Sequence, residues 1–399
     1  MSAALGFDAE RLKRIDAWMA ANRTGGRYTG SSVLLARHGE VAYCSCDGLR
    51  SVAKNLPYER DTIVRIYSMT KVVTSVVFGM LLERGEVYLD TPVSAYLPEF
   101  GDMKALIPGA KKADQVEPAP SPTLQQLLTH TSGMTYGFNP GLAAQIYAKA
   151  RVDFGPRSGA LQDRSQYAAS QPLAFQPGTR WEYSVGIDII GRVIEVITGQ
   201  TLDQVFRERV FEPLGMDDTF FGVPQDKISR FADCYTKTED DACALLETAE
   251  ESAFRQEKVS CFSGGGGLCS TLDDYMRFGE MIRRGGTHGK ERLIGARTLA
   301  FMRQNHLPGD IASMGAETFS EMPMSGMGFG IGGGVVLSPS LTRSAGSVGD
   351  FGWGGMASTY FWTDPVEDLT AVYFTQLVPS SSYPSRAELK ALVHGALID

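Results

Sequence analysis

At 399 residues the chain is long enough for two or more domains around a sizeable core, and its 43% hydrophobic and 21% charged residues suit an ordinary soluble globular enzyme. A formal net charge of -8 and a pI near 5.3, with no basic face, give nucleic-acid binding little electrostatic support. No apolar run reaches the roughly 18 residues of a transmembrane helix, so no membrane partner is expected.

The first ten residues lack a basic n-region and an apolar h-region, so a cytoplasmic protein is expected. Cys44, Cys46, Cys234, Cys243, Cys261 and Cys269 form no Cys-x-x-Cys pair. Their scatter suits free thiols in a reducing compartment and predicts no structural zinc site.

Residues 8–22 predict an amphipathic helix with Leu12, Ile15, Trp18 and Met19 on one face. Residues 32–37 and 40–44 read as strands around His38-Gly39, a hairpin turn. A loop and a short extended piece, 62–66, lead to Tyr67-Ser68-Met69-Thr70-Lys71. Apolar residues at 72, 73, 76, 77, 80 and 81 then make one stripe of a helix that stops at Glu83-Arg84-Gly85. Asp90-Thr91-Pro92 predicts another helix start, and 104–122 a long surface loop. Ser121-Pro122-Thr123 opens a helix carrying Leu124, Leu127 and Leu128, which ends in the hydroxyl-rich loop 129–137.

Residues 140–171 read as helical but polar, and 177–179 as a turn. Trp181-Glu182-Tyr183-Ser184 leads into an apolar helix from Ile187 to Thr198, with a further helix over 203–209. The acidic stretch 236–258 reads as exposed. After Gly264-Gly265-Gly266-Gly267, Ser270-Thr271 caps a helix that starts at Leu272 and ends near Gly285. Strands are predicted at 328–337, 341–347, 356–363 and 369–377, with turns at Pro339 and Asp364-Pro365, and a last helix over 386–397.

Strands at both ends and helices between them predict an α/β (α+β) fold. One antiparallel sheet is built from both termini and flanked by helices, with an all-helical inserted domain. The expected division is a discontinuous sheet domain, 1–95 with 325–399, and a mainly helical insert, 96–324. The Ser68 helix lies where they meet.

Ser68 and Lys71 share a helix face, and the helix N-terminus adds partial positive charge beside Ser68. On so apolar a helix the lysine is expected to be desolvated, which favours its neutral amine. A neutral amine beside a serine can take the hydroxyl proton and make a nucleophile. The spacing alone is weak evidence: Ser51-Val52-Ala53-Lys54 repeats it, but runs into Asn55-Leu56-Pro57, where no long helix follows. A buried helix with two incidental polar residues fits the 68 copy equally well.

Two further stretches would complete an acyl-transfer site. Tyr183, in a turn before a helix, is a phenol that can serve as base and then acid beside a lysine. Gly352-Trp353-Gly354-Gly355-Met356 lets the backbone approach a substrate closely. A strand edge there could supply one oxyanion N–H, with the N–H of Ser68 as the other.

Taken together the chain resembles the serine β-lactamase and penicillin-binding-protein superfamily, and within it the class C β-lactamase-like esterases, the family VIII carboxylesterases. The likeness rests on Ser68-Met69-Thr70-Lys71, Leu127 to Gly133, Trp181-Glu182-Tyr183-Ser184, Gly264 to Leu268 with Ser270 to Asp274, and Trp353-Gly354-Gly355. It spans nearly the whole chain. The resemblance implies that Ser68 is acylated and that Lys71 and Tyr183 act as base. It also implies that Trp353, Gly354 and Gly355 line the site, with the second oxyanion N–H on Met356. The family needs no metal and no organic cofactor.

Two departures bear on substrate. β-Lactamases carry Lys-Thr-Gly where this chain has Trp353-Gly354-Gly355, and an asparagine two residues after the tyrosine where this chain has Val185. Both changes remove polar recognition of lactams and peptides and suit neutral, apolar acyl esters. The expected activity is therefore ester hydrolysis on small to medium apolar acyl groups, with weak or no β-lactam turnover. An acyltransferase or D-peptidase of the same fold, and a non-catalytic scaffold, are the alternatives.

Tyr136 is a candidate for the pocket wall, or else a packed loop tyrosine. No Gly-x-Ser-x-Gly elbow exists, because residues 345–349 lack the first glycine. His130 reads as a loop histidine with local hydrogen bonds. Gly328-Phe329-Gly330-Ile331-Gly332-Gly333 runs on into a strand, so no helix N-terminus awaits a phosphate. The glycines at 264–267 precede Asp273 and Asp274, which would repel an anion, and are expected to permit tight backbone packing.

Overall fold

The computed structural model describes residues 5–320 and 322–398. Among these, the principal sheet has eight antiparallel strands. In chain order they are β1 (Gly30–Arg37), β2 (Glu40–Ser51), β3 (Leu56–Pro57), β4 (Met327–Phe329), β5 (Gly334–Val336), β6 (Phe351–Gly354), β7 (Tyr360–Asp364) and β8 (Leu369–Thr375). Across the sheet they lie β4-β5-β6-β7-β8-β1-β2-β3. The expected sheet from both termini is what forms. Its centre is the pairing of β1 with β8, where Val33 faces Tyr373 and Leu35 faces Ala371. His38 and Gly39 both take positive φ, 54° and 85°, which suits the two-residue turn between β1 and β2.

Both faces of β1 and β8 are buried, which explains their near-continuous apolar sequence. On one face Val33, Leu35, Trp362 and Tyr373 meet Leu12, Ile15 and Met19 of helix α1 (Ala9–Thr24). The same layer takes Leu389 and Val393 from the last helix, Ser385–His394. On the other face Leu34, Phe361, Val372 and Phe374 meet Tyr275 and Phe278 of helix Leu272–Arg283, which falls within the expected 96–324 insert. Beyond it lies helix α2 (Thr70–Glu83), every residue of which from Thr70 to Leu81 is buried. It is therefore a central helix, buried all round rather than along one stripe, and α3 (Gly186–Thr198) packs beside it.

Several predicted elements differ. The 104–122 loop contains two paired strands, Met103–Leu106 and Val116–Ala119, because Met103, Ala105 and Leu106 point inward. The helix after Asp90 is only a short turn, Val93–Ala95. The 140–171 stretch holds two helices, Leu142–Ala150 and Leu161–Ala169. The 236–258 stretch is not wholly exposed: Ala249 and Phe254 tuck against Ile63, Val223 and Phe231. No strand forms over 341–347. Pro339 instead starts a single helical turn, Pro339–Thr342, and positive φ at Arg343, Gly346 and Gly349 follows. The expected long strand 328–337 is the β4–β5 hairpin.

Candidate active site

Ser68 lies in a tight helical turn, Tyr67–Met69, that runs directly into α2. Tyr67 adopts φ 42°, a left-handed conformation that costs a residue with a side chain about 1–3 kcal/mol. Its neighbours hold it there. The Tyr67 ring meets Phe254 edge-on at 5.6 Å. The adjacent Arg65, fully buried, donates to the Ala232 carbonyl at 2.7 Å and pairs with Glu247 at 2.8 Å. The bend leaves Ser68 partly exposed on a cavity of about 760 Å³, while Lys71 is fully buried.

The Lys71 amine has three oxygen neighbours: the Gly265 carbonyl at 2.6 Å, Tyr136 Oη at 2.9 Å and Ser68 Oγ at 3.3 Å. The glycine-rich loop reaches it by close packing on α2. Thr74 donates to the Gly264 carbonyl at 2.6 Å, and Leu268 N–H donates to Thr70 Oγ1 at 3.1 Å. A β-carbon on Gly265 would collide with the Asp188 carboxylate, so glycine is required there for a close approach, as the sequence suggested. Asp188, in the first turn of α3, is buried and accepts Ser263 Oγ–H at 2.5 Å and Gly265 N–H at 2.9 Å. Burial raises its carboxyl above the usual range, against the pull of Lys71 and those hydrogen bonds. Burial, then the Asp188 charge, pushes the Tyr136 phenol well above its ordinary value.

Tyr183 also borders the cavity, but its hydroxyl is oriented differently. The buried indole N–H of Trp353 donates to Tyr183 Oη at 3.1 Å, and the Lys71 amine sits 4.7 Å from the Tyr183 ring centroid. The phenol that hydrogen-bonds the lysine is thus that of Tyr136, while Tyr183 is bonded to the strand. His130 packs against Tyr183 at 4.6 Å between centroids, and its Nδ1 accepts Ser184 N–H at 3.2 Å. Burial, then the Lys71 charge, holds the imidazole well below its usual value, so it serves as a neutral wall.

The strand segment arrives at the far side. A β-carbon on Gly355 would collide with the Ile66 carbonyl and with Thr359 Oγ1, so the end of β6 lies against the turn that carries Ser68. Met356 is not part of a strand. It sits in the turn between β6 and β7, closed by Gly355 N–H to the Thr359 carbonyl at 2.8 Å. Met356, Trp353, Gly354 and Gly355 all line the cavity with Tyr136 and Ser68. Its remaining wall is mostly apolar, with Phe154, Phe319, Met322, Met324 and Met327.

Three participants escaped the sequence reading. Asp188 is a single acid inside the apolar run Gly186 to Ile190, and that isolation is its one signal. The Gly265 carbonyl has none. Arg386, on the last helix, lines the cavity and donates to the Gly355 carbonyl at 3.2 Å. The ligand atoms of Asp350, Asp364 and His394 lie within 4.8 Å of one another, but the Lys390 ammonium already occupies that cluster, 2.6 Å from Asp350 Oδ2. No helix among the described residues is long and apolar enough to cross a membrane.

The profile of the family described as Beta-lactamase matches residues 15–395. Esterase EstB of Burkholderia gladioli is 31% identical over 388 residues, 93% of this chain and 92% of the esterase. Monacolin J acid methylbutanoyltransferase of Aspergillus terreus is 28% identical, over 88% of each chain. Among solved structures, EstCE1, a hydrolase with promiscuous acyltransferase activity, superposes with a TM-score of 0.80 at 26% identity, covering 98% of this chain and 99% of its own.

Proposed function

Because the chain belongs to the beta-lactamase family and is related to esterases and acyltransferases of that fold, we propose that it is a serine carboxylesterase acting on small to medium apolar acyl esters. The observation that carries this reading is the Lys71 amine 3.3 Å from Ser68 Oγ, at the wall of a largely apolar cavity of about 760 Å³. On this reading Ser68 belongs to the junction between a sheet domain of residues 1–95 and 325–399 and a mainly helical insert, 96–324.

Lys71 takes the Ser68 proton, and Ser68 Oγ attacks the ester carbonyl. The oxyanion is received by the N–H groups of Ser68 and Met356. Tyr183, its oxygen held by the Trp353 indole, passes a proton to the leaving alcohol; in the second step the Tyr183 phenolate takes a proton from the attacking water, and Lys71 returns its proton to Ser68 Oγ as the acyl group leaves. Trp353 occupies the place of a strand cation, so β-lactam turnover is expected to be weak or absent. The six free cysteines suit a reducing, cytoplasmic setting.

Ser68→Ala should abolish ester turnover with the fold intact, and retained activity would refute the nucleophile. A series of short p-nitrophenyl esters run beside a chromogenic cephalosporin tests the substrate class; faster cephalosporin cleavage would sink it. The acyltransferase relatives favour a second reading, in which an alcohol replaces water in the last step. Adding alcohol acceptors to the ester assay separates the two.

A further inference from the structure

Three hydrogen bonds from one loop hold the segment that carries Tyr183. His130 takes φ 58°, a left-handed conformation uncommon for a residue with a side chain. Its carbonyl accepts Glu182 N–H at 2.9 Å, and its Nδ1 accepts Ser184 N–H at 3.2 Å. Between those two contacts, the Tyr183 carbonyl accepts an N–H of the Asn139 side-chain amide at 2.7 Å. A carbonyl oxygen can only accept, so the NH₂ side of that amide must face it. The other N–H of the same nitrogen goes to Thr135 Oγ1 at 3.0 Å, which occupies both donors of Asn139.

The turn that places Asn139 also places Tyr136. Asn139 N–H donates to the Tyr136 carbonyl at 3.1 Å, and the Lys71 amine donates to Tyr136 Oη at 2.9 Å. One end of this turn therefore reaches the lysine and the other reaches Tyr183, whose ring lies 5.2 Å from that of Tyr136. At the far end of the Tyr183 side chain the Trp353 indole donates to Oη at 3.1 Å, a bond that uses an oxygen lone pair and not the phenol proton. We propose that Asn139 is a positioning residue, which braces the Tyr183 backbone against the Tyr136 turn and so fixes where the Tyr183 hydroxyl stands relative to Lys71 and Ser68. It acts through Tyr183, as the third group of a triad acts through the base it orients. The proposal deepens the esterase reading and rests on Tyr183 passing a proton to the leaving alcohol.

Two esters of one acid, p-nitrophenyl butyrate and ethyl butyrate, test the brace. p-Nitrophenoxide leaves without a proton and ethoxide does not, so the ethyl ester alone needs a general acid in acylation. The comparison is made in kcat/KM, which reports the barrier from free enzyme and ester. Asn139→Ala shortens the side chain and Asn139→Leu keeps its volume; both remove the donor, and the residue is half-buried in a turn, so neither opens a core cavity. Each should lose roughly 10- to 100-fold in kcat/KM on ethyl butyrate, part of the 10²–10⁴ that positioned proton transfer supplies, and less than about threefold on p-nitrophenyl butyrate. Tyr183→Phe should discriminate between the esters in the same direction and more strongly. On the ethyl ester the Asn139→Ala/Tyr183→Phe double variant should match Tyr183→Phe within about twofold, because the two residues act as a unit. A residue that only steadies the loop would slow both esters alike. Equal losses on the two esters, an undiminished ethyl-ester rate in either Asn139 variant, or losses that multiply in the double variant would overturn the brace. Tyr183→Phe with the wild-type ratio of the two rates would instead overturn Tyr183 as the acid, and ester turnover by Ser68→Ala would overturn the esterase reading itself.

Discussion

Replacing Trp353 by phenylalanine isolates one hydrogen bond. The indole N–H lies 3.1 Å from Tyr183 Oη, and both side chains are buried, at 9% and 4% exposure. Phenylalanine retains an aromatic ring against Phe319, stacked at 5.8 Å, and Phe329, edge-on at 5.1 Å. The donor is lost, and a buried polar group left without its partner costs about 1–3 kcal/mol. At about 1.4 kcal/mol per tenfold that corresponds to roughly 5- to 150-fold in rate. The loss should appear mainly in kcat, because negative charge gathers on the phenol oxygen only while it passes its proton. Initial rates on p-nitrophenyl esters over a range of concentrations give kcat and KM, and a thermal scan confirms the fold. A folded Trp353→Phe protein with kcat within twofold of wild type would refute the assignment of the Tyr183 oxygen to proton transfer.

Gly355→Ala should push the end of β6 off the Ile66 carbonyl and carry the Met356 N–H with it. Losing one oxyanion donor costs about 2.7–4 kcal/mol, so steady-state kcat should fall by roughly 10²–10³; an undiminished rate would remove Met356 from the site. Lys54→Ala should leave ester turnover unchanged, since Lys54 pairs at the surface with Glu250, and a large loss would mean the second Ser-x-x-Lys copy matters. Burial pushes the Asp274 carboxyl up to about 6. With a folded value above the unfolded one of about 3.9, its contribution is complete at low pH and lost as pH rises through 6. The thermal midpoint of wild type relative to Asp274→Asn should therefore fall between about pH 4 and about pH 8, and a gap that widens in the other direction would contradict the burial argument.

What could be read in the sequence was local. The Ser68–Lys71 pair, the His38-Gly39 turn, the Thr123 start and the Thr271 cap all express themselves within one turn of chain. The strands after 327 were harder, because β4 to β6 are short and glycine-rich. Near the site the glycines serve close approach rather than strand propensity, so the alternation of apolar and polar residues fades. The partners of Lys71 were hidden for a different reason. A backbone carbonyl at Gly265 and a carboxylate on a separate helix become its neighbours only through packing. The desolvated lysine was foreseen from the oiliness of α2; the acid beside it was not.

The place of β1 between β2 and β8 has a consequence for biosynthesis. Nearly the whole polypeptide must leave the ribosome before the middle of the sheet can zip shut, so its early strands wait with an open edge and the greasy central helix waits beside them. The turn that carries Ser68 is translated early and the strand that faces it late. A nascent or prematurely released chain would carry Ser68 without the late strand that forms the opposite wall of its cavity.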